Sequence, residues 1–211
     1  MNIVDIKYGS VAGVGGFNQD RILCDQLADD SYIAILADGM GGLQHGDLAA
    51  GIVVHNIYNK VKDNLPLTDI SFVLNEAFIQ ADHAIAERSL VLHCKMGVAV
   101  TFVIVKGNTL YCAWQGNVRL YCQQDGELVQ LTEDHIKSGD SNTLLTRCVN
   151  GKGYRYPIPI ITKGLQGVSS LMLCSDGFYQ SENYLELAEQ NELPPSIEPQ
   201  QDDASYIILQ L

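Results

Sequence analysis

Four segments of the sequence place aspartates at the ends of apolar runs, where carboxylates could meet and bind a cation. Asp38 ends the run "YIAILAD", and Asp176 likewise follows an apolar run and precedes a glycine in "LMLCSDG". Asp20 comes directly before "RILCD", and Asp202 and Asp203 lie just before the run "SYIILQL". If the strands are neighbours, these carboxylates converge at one edge of the core, where like charges repel unless protons or cations neutralise them.

The chemistry of this donor set favours a hard divalent cation. Aspartate oxygens and backbone carbonyls are the ligands that Mg²⁺ and Mn²⁺ prefer, whereas zinc prefers histidine or cysteine. Gly39, Gly41 and Gly42, which follow Asp38, allow positive φ or a close approach to the backbone. Asp-Gly after a strand is also a common turn, so neither Asp-Gly pair alone distinguishes a site from a turn. The repeated strand-end acids and the extra glycines together favour a site.

The elements that must position these acids follow from hydrophobic periodicity. The continuous apolar run that ends at Asp38 predicts a strand buried on both faces. Apolar residues at every fourth position predict helices over 47–65 and 70–93, each covering a sheet. Alternation and turn residues predict an antiparallel meander of four strands over 98–131, followed by a surface loop over 132–142. Two helices among many antiparallel strands predict an α+β fold.

Composition limits the classes of function. The chain has 211 residues, which we interpret as a single domain over 1–211. The 25 acids and 13 bases give a net charge of −12, which argues against a nucleic acid or an anionic membrane as partner. The six cysteines lie in or beside apolar runs and form no C-x-x-C pair, as expected of reduced, packed thiols. Without a secretion signal or an apolar span of about 18 residues, we expect a soluble, cytoplasmic protein.

Several motifs, taken in order, resemble those of the metal-dependent protein phosphatases. This is the PPM family, or type-2C serine/threonine phosphatases, and the chain is similar to its compact bacterial form. Any one motif is weak evidence, but the motifs keep the family order from residue 18 to residue 205. They are "FNQD", "ADGMGG", "QGNVRLY", "DGELVQLTEDH", "LLTR", "LCSDG" and "DDAS".

The resemblance implies a four-layer αββα sandwich of two antiparallel sheets flanked by helices, with a binuclear Mn²⁺ or Mg²⁺ site at one end. By analogy, Asp38 would bridge the two ions, Gly39 would offer its carbonyl to one, and Asp176 and Asp202 would complete the other. Asp20 would act through a metal-bound water. The implied reaction is hydrolysis of phosphoserine or phosphothreonine by a metal-activated water. The implied partner is a phosphorylated protein, in opposition to a serine/threonine kinase, and we expect a monomer.

Three positions depart from the family pattern. Gly15 stands where the family usually has an arginine that grips the substrate phosphate. Asn117 replaces the aspartate that the family uses for a third ion, so we expect two ions and doubt a third. The flap between the blocks "LTEDH" and "LTR" is shortened to residues 136–144. Other cations nearby in sequence could compensate for Gly15, and the candidates are Lys7, Arg21 and Arg147.

Two functions therefore remain open from the sequence. The retained aspartates favour an enzyme with weak or unusual substrate selection. The missing arginine favours the alternative, a pseudophosphatase of the same fold that binds a phosphoprotein or a partner without turnover. A structural cation-binding module is less favoured, because the sequence contains no calcium loop of the D-x-[DN]-x-[DN]-G type. Most of the five histidines are expected on helix surfaces or in loops, and Trp114 is expected in the core.

Overall fold

Two five-stranded antiparallel sheets form the centre of the molecule. The computed structural model describes residues 3–40, 45–138, 143–181, 184–189, 198 and 200–211. Sheet I has the strand order β1-β12-β11-β6-β7, and sheet II has the order β10-β5-β4-β3-β2. The strands are β1 Asp5–Val11, β2 Asp20–Gln26, β3 Tyr32–Gly39, β4 Val98–Lys106, β5 Thr109–Gln115, β6 Arg119–Gln124, β7 Glu127–Gln130, β8 Ile136–Ser138, β9 Thr143–Leu145, β10 Ile160–Gly164, β11 Val168–Cys174 and β12 Ala204–Gln210.

Helices cover the outer face of each sheet. Helices α1 Gly46–Asp63 and α2 Ile70–Leu92 pack on sheet II, in a core that includes Phe78 and Phe102. The short helices α3 Asp176–Tyr179 and α4 Tyr184–Glu189 pack on the outer face of sheet I. A third apolar core fills the space between the sheets. The predicted α+β sandwich with flanking helices is confirmed.

The apolar patterns explain which elements were predicted correctly. Strands β3 and β4 have almost continuous apolar sequences because one face packs against α1 and α2 while the other faces sheet I. The two long helices begin and end within two residues of the predicted bounds. Both cover sheet II, whereas the sequence had indicated only that each covers a sheet.

The predicted meander over 98–131 is wrong at its centre. Strands β4 and β5 pair with each other in sheet II, and β6 and β7 pair in sheet I, but β5 and β6 do not pair. The chain crosses from one sheet to the other at Gly116-Asn117-Val118. Trp114 before this crossing and Val118 after it are both buried, and the tryptophan lies in the core as predicted. The crossing reaches the end of the sandwich that holds the acids.

Two further segments differ from the prediction. Residues 136–138 and 143–145 form a small hairpin, β8–β9, in and next to the segment that was predicted as a loop. Strand β10, which was not predicted, pairs with β5 at the edge of sheet II. Gly41, Gly42 and the tip of the shortened flap, residues 139–142, lie outside the described residues.

The six cysteines are free thiols. Among the helices that the structure describes, none has the length and apolar character to span a bilayer.

Candidate metal centre

The backbone brings the strand-end acids together at one end of the sandwich. Asp20 begins β2 and Asp38 lies near the end of β3, and their Cα atoms are direct partners in the antiparallel ladder. Asp176 follows β11, and Asp202 precedes β12, the strand paired with β11 in sheet I. One pair of acids therefore comes from each sheet, and the two pairs meet where the sheets pack.

Asp20 is the most deeply buried of the four candidate ligands, with 3% exposure. Its Oδ2 accepts a hydrogen bond of 2.8 Å from Ser175 Oγ. Its Oδ1 is buried and has no hydrogen-bond partner in the described part of the chain. Burial raises the pKa of Asp20 to about 7; serine hydroxyls oppose the rise and repulsion from Asp203 and Asp176 adds to it. A buried carboxylate oxygen without a partner fits a site for a cation or an ordered water.

Asp38 and Asp176 share this electrostatic environment. Loss of hydration raises the pKa of Asp38 well above its usual range, and repulsion from Asp20 and Asp176 raises it further. The pKa of Asp176 is raised by burial and then by Asp202, while a hydrogen bond from Asn117 opposes the shift. No described lysine, arginine or histidine forms an ion pair with any of these acids. The cluster therefore needs protons or cations for neutralisation.

The two adjacent acids before β12 have different surroundings. Asp202 is exposed at the rim, and its Oδ1 accepts a hydrogen bond from the Asp203 N–H. Asp203 is buried, and its carboxylate accepts hydrogen bonds from the backbone N–H groups of Gly13 at 2.8 Å and Gln19 at 2.6 Å. Asp203 thus ties the 13–19 loop to sheet I and leaves Asp202 facing the cluster. The sequence had not separated the roles of the two residues.

Gly39 must be a glycine because of the way β3 meets α1. A Cβ atom at Gly39 would clash with the carbonyl oxygen of Gly46, the first residue of α1. The Gly39 N–H donates to the Gln19 carbonyl at 3.2 Å, which joins the β3 end to the 13–19 loop. The close approach that the sequence suggested after Asp38 is therefore found at Gly39.

Asn117 and His135 organise the crossing between the sheets. The Asn117 side-chain amide donates to Asp176 Oδ2 at 3.0 Å, so this position holds the aspartate rather than adding a charge. His135 Nδ1 accepts the Gly116 N–H at 3.1 Å, and its ring stacks on Trp114. Burial, followed by Arg147, lowers the pKa of His135 to about 4. His135 lies in the loop before β8, which agrees with the prediction for most histidines, but its side chain is buried and neutral at pH 7.

Gly15 lies in the open, since no described atom lies within 4 Å of the point that a Cβ atom would occupy there. Among the compensating cations, Arg21 lies beside the centre, since its Nη1 donates to the carbonyls of Asn18 at 2.9 Å and Asp20 at 2.7 Å. Lys7 is exposed in the middle of β1, paired in register with Ile208. Arg147 stacks over Tyr156, 4.7 Å from the ring centroid.

The convergent acids do not yet form a finished coordination shell. In the described ranges, no three His, Cys, Asp or Glu side chains surround one point closely enough to hold an ion as they stand. The donor chemistry, the partnerless Asp20 Oδ1 and the raised pKa values of the acids fit a cation site.

Comparison with known proteins identifies the class. The family model described as protein phosphatase 2C matches residues 10–203. The chain is 26% identical over 183 residues to the serine/threonine phosphatase stp of Listeria welshimeri, which covers 76% of this chain and 71% of the relative. The crystal structure of the serine/threonine phosphatase Stp1 from Staphylococcus aureus has a TM-score of 0.84 at 16% identity, over 100% of this chain and 97% of that one.

A second solved structure is that of the catalytic domain of the phosphatase PstP in complex with 2 manganese ions. It matches with a TM-score of 0.79 at 22% identity, over 98% of this chain and 97% of that one. The chain therefore belongs to the protein phosphatase 2C family, and its class is that of the bacterial phosphoprotein phosphatases.

Proposed function

We propose that this protein hydrolyses phosphoserine or phosphothreonine in a phosphoprotein and that the reaction depends on two Mn²⁺ or Mg²⁺ ions. The observation that carries the proposal is the convergence of Asp20, Asp38 and Asp176 without a cationic partner among the described residues, with Asp20 Oδ1 buried and partnerless. The manganese ions in the PstP structure support the same chemistry in a relative.

The residues have separate proposed roles. Asp38, Asp176 and Asp202, with the Gly39 carbonyl, would hold the ions, and Asp20 would contribute through a water. Bound divalent ions supply an activated water and offset charge on the phosphoryl oxygens. Because Asn117 donates to Asp176 and brings no charge of its own, we propose two ions rather than three.

Positioning residues keep this arrangement in place. Asp203 fixes the 13–19 loop through two backbone hydrogen bonds, and Gly39 lets α1 approach the end of β3. Of the three candidate cations, Arg21 is the one with a contact at the centre, since its Nη1 donates to the Asp20 carbonyl, while its Nη2 lies 3.8 Å from Asp47 Oδ2. We propose that it supplies part of the charge that the family obtains from the arginine missing at Gly15.

The test is turnover of p-nitrophenyl phosphate and of a phosphothreonine peptide, with Mn²⁺ or with EDTA. We expect turnover that requires the metal and that is abolished in Asp38→Asn. Asp63→Asn is the matched control, because Asp63 is an exposed acid at the far end of α1. A folded protein that hydrolyses neither substrate in any divalent metal would overturn the proposal and favour the phosphoprotein-binding alternative.

We further propose that the protein acts as a monomer that opposes a serine/threonine kinase. Size-exclusion chromatography with light scattering tests the first statement. Dephosphorylation of a kinase-labelled cell extract, with Asp38→Asn as the inactive control, tests the second. A dimer, or an extract whose phosphoserine and phosphothreonine content does not change, would contradict the respective statement.

A further inference from the structure

A second feature next to the centre is a cationic cleft of about 650 Å³, formed by the segment 146–156 together with Gln115. Among the described residues, Arg147, Lys152 and Arg155 line it, and no acid does. This charge is unusual for the chain, which has 25 acids against 13 bases. The sequence contains no Asp or Glu from 141 to 175, although four bases lie in that stretch. The cleft is therefore a local positive region on an acidic protein.

The three cations of the cleft are available to an external anion. None forms an ion pair with an acid in the part of the chain that the structure describes. The guanidinium groups of Arg147 and Arg155 lie over the ring of Tyr156, with centroid distances of 4.7 and 5.4 Å. Stacking on a ring face fixes a guanidinium while leaving its N–H donors at the edge free for carboxylate or phosphate.

A buried acid on α2 fixes the backbone of the segment 146–156 that lines the cleft. Asp82 on α2 is 3% exposed, and its carboxylate accepts backbone hydrogen bonds from Asn150 at 3.1 Å, Gly151 at 2.8 Å and Gly153 at 2.7 Å. Lys152 lies within this bonded turn, and its side chain is exposed. Backbone N–H groups thus satisfy the Asp82 carboxylate, so it does not pair with the cations of the cleft. The same three hydrogen bonds order the turn in the absence of a ligand.

Two further contacts fix the turn on α2. Gly151 has φ +76°, and a Cβ atom there would clash with the backbone of Ala86. Tyr154 donates its hydroxyl to the Phe78 carbonyl at 2.9 Å and packs edge-on against the Phe78 ring. A preordered turn lowers the conformational entropy lost on binding, which favours a built docking site over a loose surface loop.

The cleft reaches the end of sheet II that holds the candidate metal centre, since Gln115 pairs with Val100 and the adjacent residue of β4, Ala99, pairs with Asp38. Gln115 is one of the residues that line the cleft, and Asn117, two residues later in the chain, donates to Asp176. We propose that the cleft binds acidic residues flanking the phosphorylated residue of a protein substrate, so that the enzyme selects acidic phosphoprotein segments. This inference rests on the proposed function and adds a substrate class to it. The tyrosine walls suit a peptide, and the net charge of −12 disfavours long polyanions such as RNA.

The experiment compares two fluorescent phosphothreonine peptides of equal length, one flanked by glutamates and one by glutamines. In Mn²⁺, we expect kcat/KM of the wild type to favour the glutamate peptide by about fivefold to tenfold, the effect of two or three exposed ion pairs. The double variant Lys152→Gln/Arg155→Gln should lose this preference, and so should the wild type in high salt. Lys62→Gln is the matched control, because it removes a positive charge far from the metal centre. Lys62 lies 16 residues after Gly46, the residue of α1 that touches Gly39, which is about 24 Å along the helix.

Fluorescence anisotropy of the same peptides in EDTA separates this inference from the proposed function, because it needs no turnover. A glutamate preference in binding that the double variant loses supports the cleft even if no peptide is hydrolysed. Equal binding and equal kcat/KM for the two peptides in the wild type would overturn the inference. So would an unchanged preference in a double variant that melts like the wild type. Tighter binding to anionic vesicles or to RNA than to the glutamate peptide would show that the cleft serves another polyanion.

Discussion

Replacing Asp20 by asparagine should stabilise the metal-free protein at neutral and alkaline pH. Burial raises the pKa of Asp20 from 3.8 to about 7 in the folded state. The folded chain therefore binds this proton more tightly than the unfolded chain, and the free energy of unfolding falls as pH rises from about 4 to about 7. A difference of about three pKa units corresponds to roughly 4 kcal/mol at pH 8. At pH 4.5 the same group costs only about 1 kcal/mol.

Asparagine removes this charge and keeps the shape of the side chain. Its amide oxygen can still accept the hydrogen bond that Ser175 Oγ donates to Asp20. Because the neighbouring acids also take up protons, about 4 kcal/mol is an upper value for the gain in unfolding free energy. At roughly 2–4 °C per kcal/mol, the melting temperature at pH 8 should rise by at most about 16 °C.

The assay is thermal unfolding followed by circular dichroism in EDTA at pH 4.5 and pH 8, for wild type, Asp20→Asn and Asp63→Asn. The melting temperature of Asp20→Asn should exceed that of the wild type by a large amount at pH 8 and by a small amount at pH 4.5. The melting temperature of Asp63→Asn should equal that of the wild type at both pH values. Adding Mn²⁺ should raise the melting temperature of the wild type more than that of Asp20→Asn, by mass action. An Asp20→Asn protein that is less stable than wild type at pH 8 in EDTA would falsify this account of the centre.

Three other predictions concern single positions. Asp176→Asn should abolish metal-dependent hydrolysis while the melting temperature in EDTA stays equal or rises; turnover within a few-fold of wild type would contradict the ligand role. Gly15→Arg should melt like the wild type, because no described atom lies within 4 Å of the point that its Cβ would occupy, and should lower KM for phosphate monoesters relative to Gly15→Gln. An unchanged KM would show that this loop does not face the phosphate. Asp82→Asn should lower the melting temperature by about 5–10 °C, since an amide cannot accept from all three backbone donors. It should also weaken the glutamate preference in the peptide assay, and retention of both properties would contradict the role of Asp82.

Local patterns in the sequence predicted the elements well where one period dominates. The apolar run before Asp38 indicated a strand buried on both faces, and the two long helices showed regular spacing. The predicted turn at Gln115-Gly116 indicated a reversal of the chain but not the sheet to which the next strand belongs, because sheet membership depends on partners far along the chain. The edge strand β10 was missed because its short sequence, which follows two prolines, is only partly buried.

The candidate site was predictable in its residue types but not in its supporting contacts. The sequence predicted the convergence of Asp20, Asp38, Asp176 and Asp202 on the condition that their strands are neighbours. The pairing of β2 with β3 and of β11 with β12 meets that condition within each sheet. The roles of Asp203 and Asp82 could not be predicted, because backbone N–H groups far along the chain satisfy each carboxylate. Gly13 lies 190 residues from Asp203, and Asn150 lies 68 residues from Asp82. An aspartate within α2 looks like a surface residue until the turn that covers it is known.

The contact between Asp203 and the 13–19 loop has a consequence for the order in which the molecule forms. Sheet II and its helical layer are built from residues 20–164, whereas sheet I needs β1 and β12, which pair across nearly the whole chain. Contacts with such large sequence separation form late, because a long loop must close before they contribute. During synthesis, sheet II and its helices can assemble before β12 leaves the ribosome, whereas the centre cannot. We therefore expect a nascent chain to bring only Asp20 and Asp38 together at first, and to gain its full cation affinity once β11 and β12 add Asp176 and Asp202.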